Sequence, residues 1–212
     1  MKVSYKHFVE TLKARLEQPL PGFEAQRKLE PVTRKTYLET ADQNKARYSG
    51  VMALFYACDD QIRLVFIRRT EYNGVHSGQI SFPGGRYEPG DENLKETALR
   101  ETFEEIGVPA DKINVIGKLT DLYIPPSNFM VEPYVGYLDA PLQFVPDPAE
   151  VNEIFSVSLD DLLKTKNLQT KTIETAGRKI DVACYFVEGK VIWGATSMIL
   201  SELLDVIREA MA

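Results

Sequence analysis

"SFPGGRYEPGDENLKETALRETFEEIGV", residues 81–108, decides how this chain is read. A short apolar run ends at Pro83-Gly84-Gly85, and a helix is predicted over 92–106, stopped by Gly107 and Pro109. At about 100° per residue, Leu99, Phe103 and Ile106 form one stripe, predicted to face the core. Glu101, Glu104 and Glu105 gather on the opposite side, and only Arg100 stands near them. Like charges at such spacings repel by about 0.2–0.5 kcal/mol per pair. Two readings stay open on spacing alone: a solvated face, or a site for a divalent cation, which carboxylates suit. The glycines let backbone approach a ligand closely, and a glycine carbonyl is a candidate further oxygen. Thr97 and Ala98 are small, which predicts room for a bulky ligand above the carboxylates. Gly90-Asp91-Glu92 adds acidic groups at the helix start.

Working outward, "SGVMALFYA" (49–57) and "IRLVFIRR" (62–69) read as a hairpin, and "GQISF" (78–82) as a short third strand. "INVIGKL" (113–119) and "MVEPYVGYL" (130–138) are strand-like, with Pro133 predicting an edge or a bulge. Ser158 caps a short helix, 179–194 reads as a hairpin turning at Glu188-Gly189-Lys190, and 197–210 as a long amphipathic helix. Upstream, a helix is expected over 3–17, halted by Pro19 and Pro21, followed over 18–48 by a polar segment that reads as an extended arm or a partly disordered linker. Strands first, then a helix, then strands and helices imply an α+β fold: an α/β/α sandwich around a central mixed sheet.

The bulk numbers narrow the function classes. With 212 residues and a net charge of -6, the chain has ample core and no generally basic surface for nucleic acid. Cys58 and Cys184 are far apart and imply neither a disulfide framework nor a thiol metal site. No apolar run has membrane-spanning length and the first residues do not resemble a signal peptide, so a cytoplasmic protein is expected.

"GGRYEPGDENLKETALRETFEEIGV" closely resembles the Nudix box, which runs Gly, five residues, Glu, seven residues, then Arg-Glu-U-x-Glu-Glu-x-Gly-U with U bulky and apolar. "RETFEEIGV" fits the second half, with Thr102 at the first U position. Gly85 to Glu92 has one residue too many, a habit of the coenzyme A pyrophosphatase branch of the Nudix hydrolases. "GVHSGQISFPGG" (74–85), "LPGFEAQRKLEP" (20–31), "PDPAEVNEIFSVSLDDLL" (146–163) and "VIWGATSMILSELL" (191–204) resemble that branch as well, covering most of the chain. Gly74 stands where the branch usually has Arg, while Arg69 is present where an earlier Arg is expected.

The resemblance implies a Nudix domain over 49–212, preceded by an N-terminal helix and arm over 1–48 packing on its core. It implies hydrolysis of the diphosphate of coenzyme A or acyl-CoA, or of another nucleoside diphosphate derivative such as ADP-ribose or NADH. Mg²⁺ or Mn²⁺ would activate water and neutralise the phosphates. Glu101, Glu104, Glu105 and the Gly85 carbonyl are the implied metal ligands, with Glu101, Glu104 and Arg100 as catalytic residues. Arg100 would hold a glutamate rotamer, or make a plain surface ion pair. Arg68, Arg69 and Arg86 are candidates for phosphate binding, or exposed strand-end cations. Glu150 and Glu153, read as lying in a loop, are candidates for a distal base or ligand, or for a solvated acidic loop. His76 is expected to be structural, Tyr123 and Phe129 to pack or line a substrate pocket, and Trp193 to be core. The N-terminal arm and C-terminal helix are candidate homodimer surfaces. A diphosphate isomerase would need a catalytic cysteine near the box, and there is none. A regulatory module would have lost box carboxylates.

Overall fold

The computed structural model describes residues 4–39, 41–71, 76–175 and 178–212. Val3 and Gly74 lie outside them. In chain order the elements are α1 (Tyr5–Leu16), α2 (Phe23–Gln26), α3 (Arg34–Leu38), β1 (Arg47–Cys58), β2 (Gln61–Arg69), β3 (Ile80–Ser81), β4 (Gly84–Arg86), α4 (Leu94–Ile106), β5 (Asn114–Lys118), β6 (Leu122–Ile124), β7 (Phe129–Tyr137), β8 (Val151–Ser158), α5 (Leu159–Leu162), β9 (Leu168–Thr175), β10 (Arg178–Val187), β11 (Lys190–Ile192) and α6 (Gly194–Ala210).

The β1–β2 hairpin turns at Asp59 and Asp60, both at positive φ, as a two-residue turn matched to strand twist requires. The central sheet runs β3-β2-β1-β7-β5, with β4 on β1, β6 on β7 and β8 on β2. It is mixed because β1 and β7 are parallel while the other pairs are antiparallel. A second sheet, β11-β10-β9, has three strands.

Strand alternation splits the core in two. From β1 and β2, Ala53, Phe55, Leu64 and Phe66 join α1 and α6 on one face. Met52, Leu54, Val65 and Ile67 join Ala98, Leu99 and Ile106 of α4 on the other. This is the expected α+β sandwich around a mixed sheet, with α4 on one face and α1 and α6 on the other.

Three local expectations change. Residues 18–48 are not extended: α2 and the 3-10 turn after it pack on α6 and α3 packs on the turn at Pro125–Ser127, burying Ala25, Gln26, Leu29 and Arg34. These helices are only four and five residues long and two of the buried positions are polar, so sequence periodicity does not register them. Pro133 is not at an edge, because β7 lies between β1 and the β5/β6 pair. Its missing N–H falls at the junction between β5 and β6, where its carbonyl accepts from Leu119 at 2.8 Å. Glu153 lies on β8 rather than in a loop, and β6 and β9, short or polar, were not foreseen.

Candidate active site

The helix that carries the carboxylates is α4. Asn93 caps it, accepting from the N–H groups of Lys95 and Glu96, and Gly107 ends it at φ 72°. Its buried face holds Thr97, Ala98, Leu99, Thr102, Glu105 and Ile106, so the apolar stripe is turned from its expected place. Phe103 is 53% exposed, and Glu105 is 1% exposed. Hydropathy could not assign a charged residue to the core side. Thr97 and Ala98 serve helix docking, not ligand room: α4 crosses β1 so closely that a Cβ on Gly50 would lie 2.2 Å from the Leu94 carbonyl oxygen and 3.0 Å from Ala98 N.

Gly84 and Gly85, expected in a turn, lie in strand β4, paired with β1, and face this helix. Gly84 has φ +144°, and a Cβ there would meet Gly50 O at 2.4 Å. A Cβ on Gly85 would lie 2.3 Å from the Glu101 Oε2. The Glu105 Oε2 accepts the Gly84 N–H at 2.8 Å, and Arg69 Nη2 donates to the Gly84 carbonyl at 2.8 Å while standing 3.4 Å from Glu105 Oε1.

Glu150 completes the constellation. Val145 N–H donates to Ile106 O at 3.0 Å and Asp147 N–H to Glu105 O at 3.2 Å, which pins the incoming loop to the end of α4. Thr70 N–H donates to Glu150 O at 3.0 Å, fixing it at the start of β8. One carboxylate oxygen each from Glu101, Glu105 and Glu150 therefore lies within 4.8 Å of the others.

Electrostatics fit a cation at this point. Burial pushes the Glu105 carboxyl up to about 7, against the pull of Arg69 and the Gly84 N–H. Burial also raises Glu101, against Arg100. Glu105 Oε1 is buried without a hydrogen-bond partner, the condition that a bound ion relieves.

Arg100 organises the second side. Its Nε and Nη2 donate to Asp91 at 2.9 and 3.0 Å, and Nη1 reaches Glu101 at 3.1 Å and Glu104 at 2.8 Å. Nη2 also donates to the Arg86 carbonyl at 2.9 Å. Asp91 is the partner that sequence reasoning missed. It follows Gly85 with five residues between, so the box's acidic position is filled by Asp91 at its usual distance from the glycine. Glu92 is exposed, and the extra residue stands after Asp91, not before it. The Arg100 guanidinium holds the Asp91 carboxyl well below the usual carboxylate range.

The other candidates separate. Glu104 is half-exposed and bonded to Arg100, outside the three converging carboxylates. Glu153 pairs with Lys190 at 2.6 Å and Arg68 at 3.3 Å, and Lys190 chiefly keeps its carboxyl below the ordinary value. Arg69 and Arg86 line a cleft of about 280 Å³ beside Gly84 and Gly85, whose apolar walls include Phe82, Ile124, Phe129, Val131 and Ile199. His76 lines it too, with Nδ1 3.1 Å from Gln79 Oε1, and burial lowers its pKa. Tyr123 is buried and donates to Asn128 Oδ1 at 2.7 Å, so it packs. Trp193 is half-buried rather than core, and lines a second cleft with Arg68. Among the described residues, no helix is long and apolar enough to cross a membrane.

Comparison with known proteins agrees with this architecture. Residues 47–176 match the NUDIX domain family. The "uncharacterized Nudix hydrolase NudL" of Photorhabdus laumondii is 34% identical over 157 residues, covering 74% of this chain and 83% of that protein. Its namesake from Yersinia pestis is 34% identical over 146 residues, covering 69% and 73%. Among solved structures, a MutT/nudix family protein from Enterococcus faecalis superposes with a TM-score of 0.55 at 14% identity, covering 87% of this chain and 72% of that one. Proteins of this family are enzymes that act on nucleoside diphosphate derivatives and generally use divalent metal ions, and this chain, with its box carboxylates in place, belongs to the Nudix hydrolase family.

Proposed function

We propose that the chain hydrolyses the diphosphate of coenzyme A or acyl-CoA, adding water across one P–O–P bond to release 3′,5′-ADP and (acyl-)4′-phosphopantetheine. The observation that carries this reading is the meeting of Glu101, Glu105 and Glu150 beside a cleft with mostly apolar walls. Such walls suit a pantetheine or acyl arm leaving a diphosphate held at the carboxylates. The resemblance of segments across most of the chain to the coenzyme A pyrophosphatase branch supports the same reading. Two unpaired cysteines suit a reducing, cytoplasmic setting.

Glu101, Glu105 and Glu150, with the Gly85 carbonyl, are the groups that would hold Mg²⁺ or Mn²⁺. When bound, the ion would polarise phosphoryl oxygens and lower the pKa of a coordinated water. Arg100 fixes Glu101 through the Asp91–Arg100 pair. Glu104 shares Arg100 and would join the ligands only on leaving it. Proton acceptance from the attacking water falls to Glu101 or Glu150, since Glu153 is held by Lys190 and Arg68. Arg86 offers positive charge to the phosphates at the cleft, whereas Arg69 is engaged in holding Gly84 of β4.

The test is a substrate panel. Protein with Mn²⁺ or Mg²⁺ is incubated with CoA, acetyl-CoA, ADP-ribose and NADH, and products are resolved by chromatography and mass. CoA or acetyl-CoA should be turned over most efficiently, giving 3′,5′-ADP. Turnover of ADP-ribose or NADH without CoA cleavage sinks the reading in favour of the second one, another nucleoside diphosphate derivative. Gly74, standing where the branch usually has Arg, is the observation on that side.

A further inference from the structure

Trp193 is the only tryptophan of the chain. It lines a second cleft of about 260 Å³ together with Arg68, Gln79, Ile80, Glu174 and Val191. Gln79 and Ile80 also line the catalytic cleft, so the two are neighbours along β3. The outer wall of the second cleft comes from the three-stranded sheet: Glu174 from β9, Val191 from β11, and Trp193 directly after it. The family match ends at residue 176, so β10, β11 and Trp193 lie beyond the part that carries the shared chemistry. A wall added there is placed to select a substrate rather than to cleave one.

The two clefts differ in chemistry. The catalytic cleft sets Arg69, Arg86 and His76 beside mostly aliphatic and phenyl walls. The second offers an indole and polar side chains, and its cation is engaged, because Arg68 stands 3.3 Å from Glu153, which also takes Lys190 at 2.6 Å. The described residues that line this cleft carry one cation, Arg68, and one carboxylate, Glu174, so they present no net positive charge to a phosphate. An aromatic base needs none: it stacks on an indole face, and a carboxylate accepts from its exocyclic amine. We propose that the second cleft holds the purine base of the substrate against Trp193, while the catalytic cleft holds the other arm. This rests on the chain being a diphosphatase of a nucleotide, not on coenzyme A in particular, because adenine is common to CoA, ADP-ribose and NADH.

A lone tryptophan reports its own site. The full-length protein is titrated with 3′,5′-ADP, AMP and 4′-phosphopantetheine while intrinsic fluorescence is followed. Saturable quenching by 3′,5′-ADP and AMP, and none by 4′-phosphopantetheine, is the expected result. Quenching by 4′-phosphopantetheine, or no quenching by either adenine nucleotide, overturns the proposal. In parallel, Trp193→Ala should raise KM for whichever adenine-containing substrate is turned over by about 10-fold or more, while Trp193→Phe, which keeps a stacking face, stays within about 3-fold. In both variants kcat should change little. An unchanged KM in Trp193→Ala also overturns it. If Trp193→Ala does not fold, the fluorescence titration and Trp193→Phe decide. Failure of CoA cleavage alongside ADP-ribose turnover would sink the coenzyme A reading and leave quenching by AMP intact.

Discussion

The Glu105 carboxylate accepts the Gly84 N–H at 2.8 Å, so the helix that carries the acidic groups and the strand β4 that faces them form one unit. Arg69 closes this unit by donating to the Gly84 carbonyl at 2.8 Å and facing Glu105 at 3.4 Å. Arg69→Ala should therefore weaken Mn²⁺ binding about 10- to 100-fold, as loss of groups supporting metal ligands does. Calorimetric titration of the metal measures this. Unchanged metal affinity with a raised substrate KM would return Arg69 to a phosphate-binding role.

Two glycines separate function from folding. Gly85→Ala puts a Cβ against the Glu101 carboxylate, the flexible end of a side chain, so the fold survives and Glu101 is displaced. Activity should fall about 100-fold or more with little change in Tm. Gly50→Ala meets the Leu94 carbonyl oxygen, which is helix backbone, and should destabilise by about 3 kcal/mol or more. Thermal melts beside kinetics check both, and a normal Gly85→Ala enzyme would show that Glu101 has room to move.

The two late carboxylates should behave oppositely. Glu150 meets Glu101 and Glu105, whereas Glu153 is paired with Lys190 and Arg68. Glu150→Gln is expected to lose about 10-fold or more in Mn²⁺ affinity, and Glu153→Gln to stay within about 3-fold. The reverse order would mean that β8, not the loop before it, supplies the distal group.

The Asp91–Arg100 pair makes an acid-side prediction. The guanidinium depresses the folded Asp91 pKa, so the pair stabilises the fold above the unfolded carboxylate value of about 3.9 and loses that contribution as pH falls. The Tm gap between wild type and Asp91→Asn should be widest near neutral pH and shrink below about pH 4. A gap that stays constant down to pH 2 would show that the pair contributes nothing electrostatic.

Glu202 ties the ends of the chain together. Fully buried on α6, it accepts from Gln26 Nε2 at 2.8 Å, Thr120 Oγ1 at 2.7 Å and the Gly22 N–H at 3.2 Å. Glu202→Ala leaves these donors without an acceptor and should cost about 2–4 kcal/mol, read by denaturant unfolding. A loss under about 0.5 kcal/mol would mean that water replaces the carboxylate.

The sequence by itself determined the elements with strong local signals. The β1–β2 hairpin, α4 with its Gly107 end, the β10–β11 hairpin and α6 all follow from alternation, helical period and stop residues, while the Asn93 cap came with the structure. Clustered carboxylates after Gly84-Gly85 marked the candidate site in the sequence. Only the tertiary structure decided which carboxylates meet. Glu105 lies on the buried face, Glu104 turns to Arg100, Asp91 rather than Glu92 takes the guanidinium, and Glu150 arrives through the β2–β8 pairing. Periodicity ranks positions by hydropathy, and a charged residue held inward by a backbone N–H has the same hydropathy as one facing water. Trp193 shows the converse: large and apolar, it reads as core, but its burial depends on the three-stranded sheet beside it, which leaves one side open as a cleft wall. Long-range strand pairing sets both outcomes, and local sequence does not encode it.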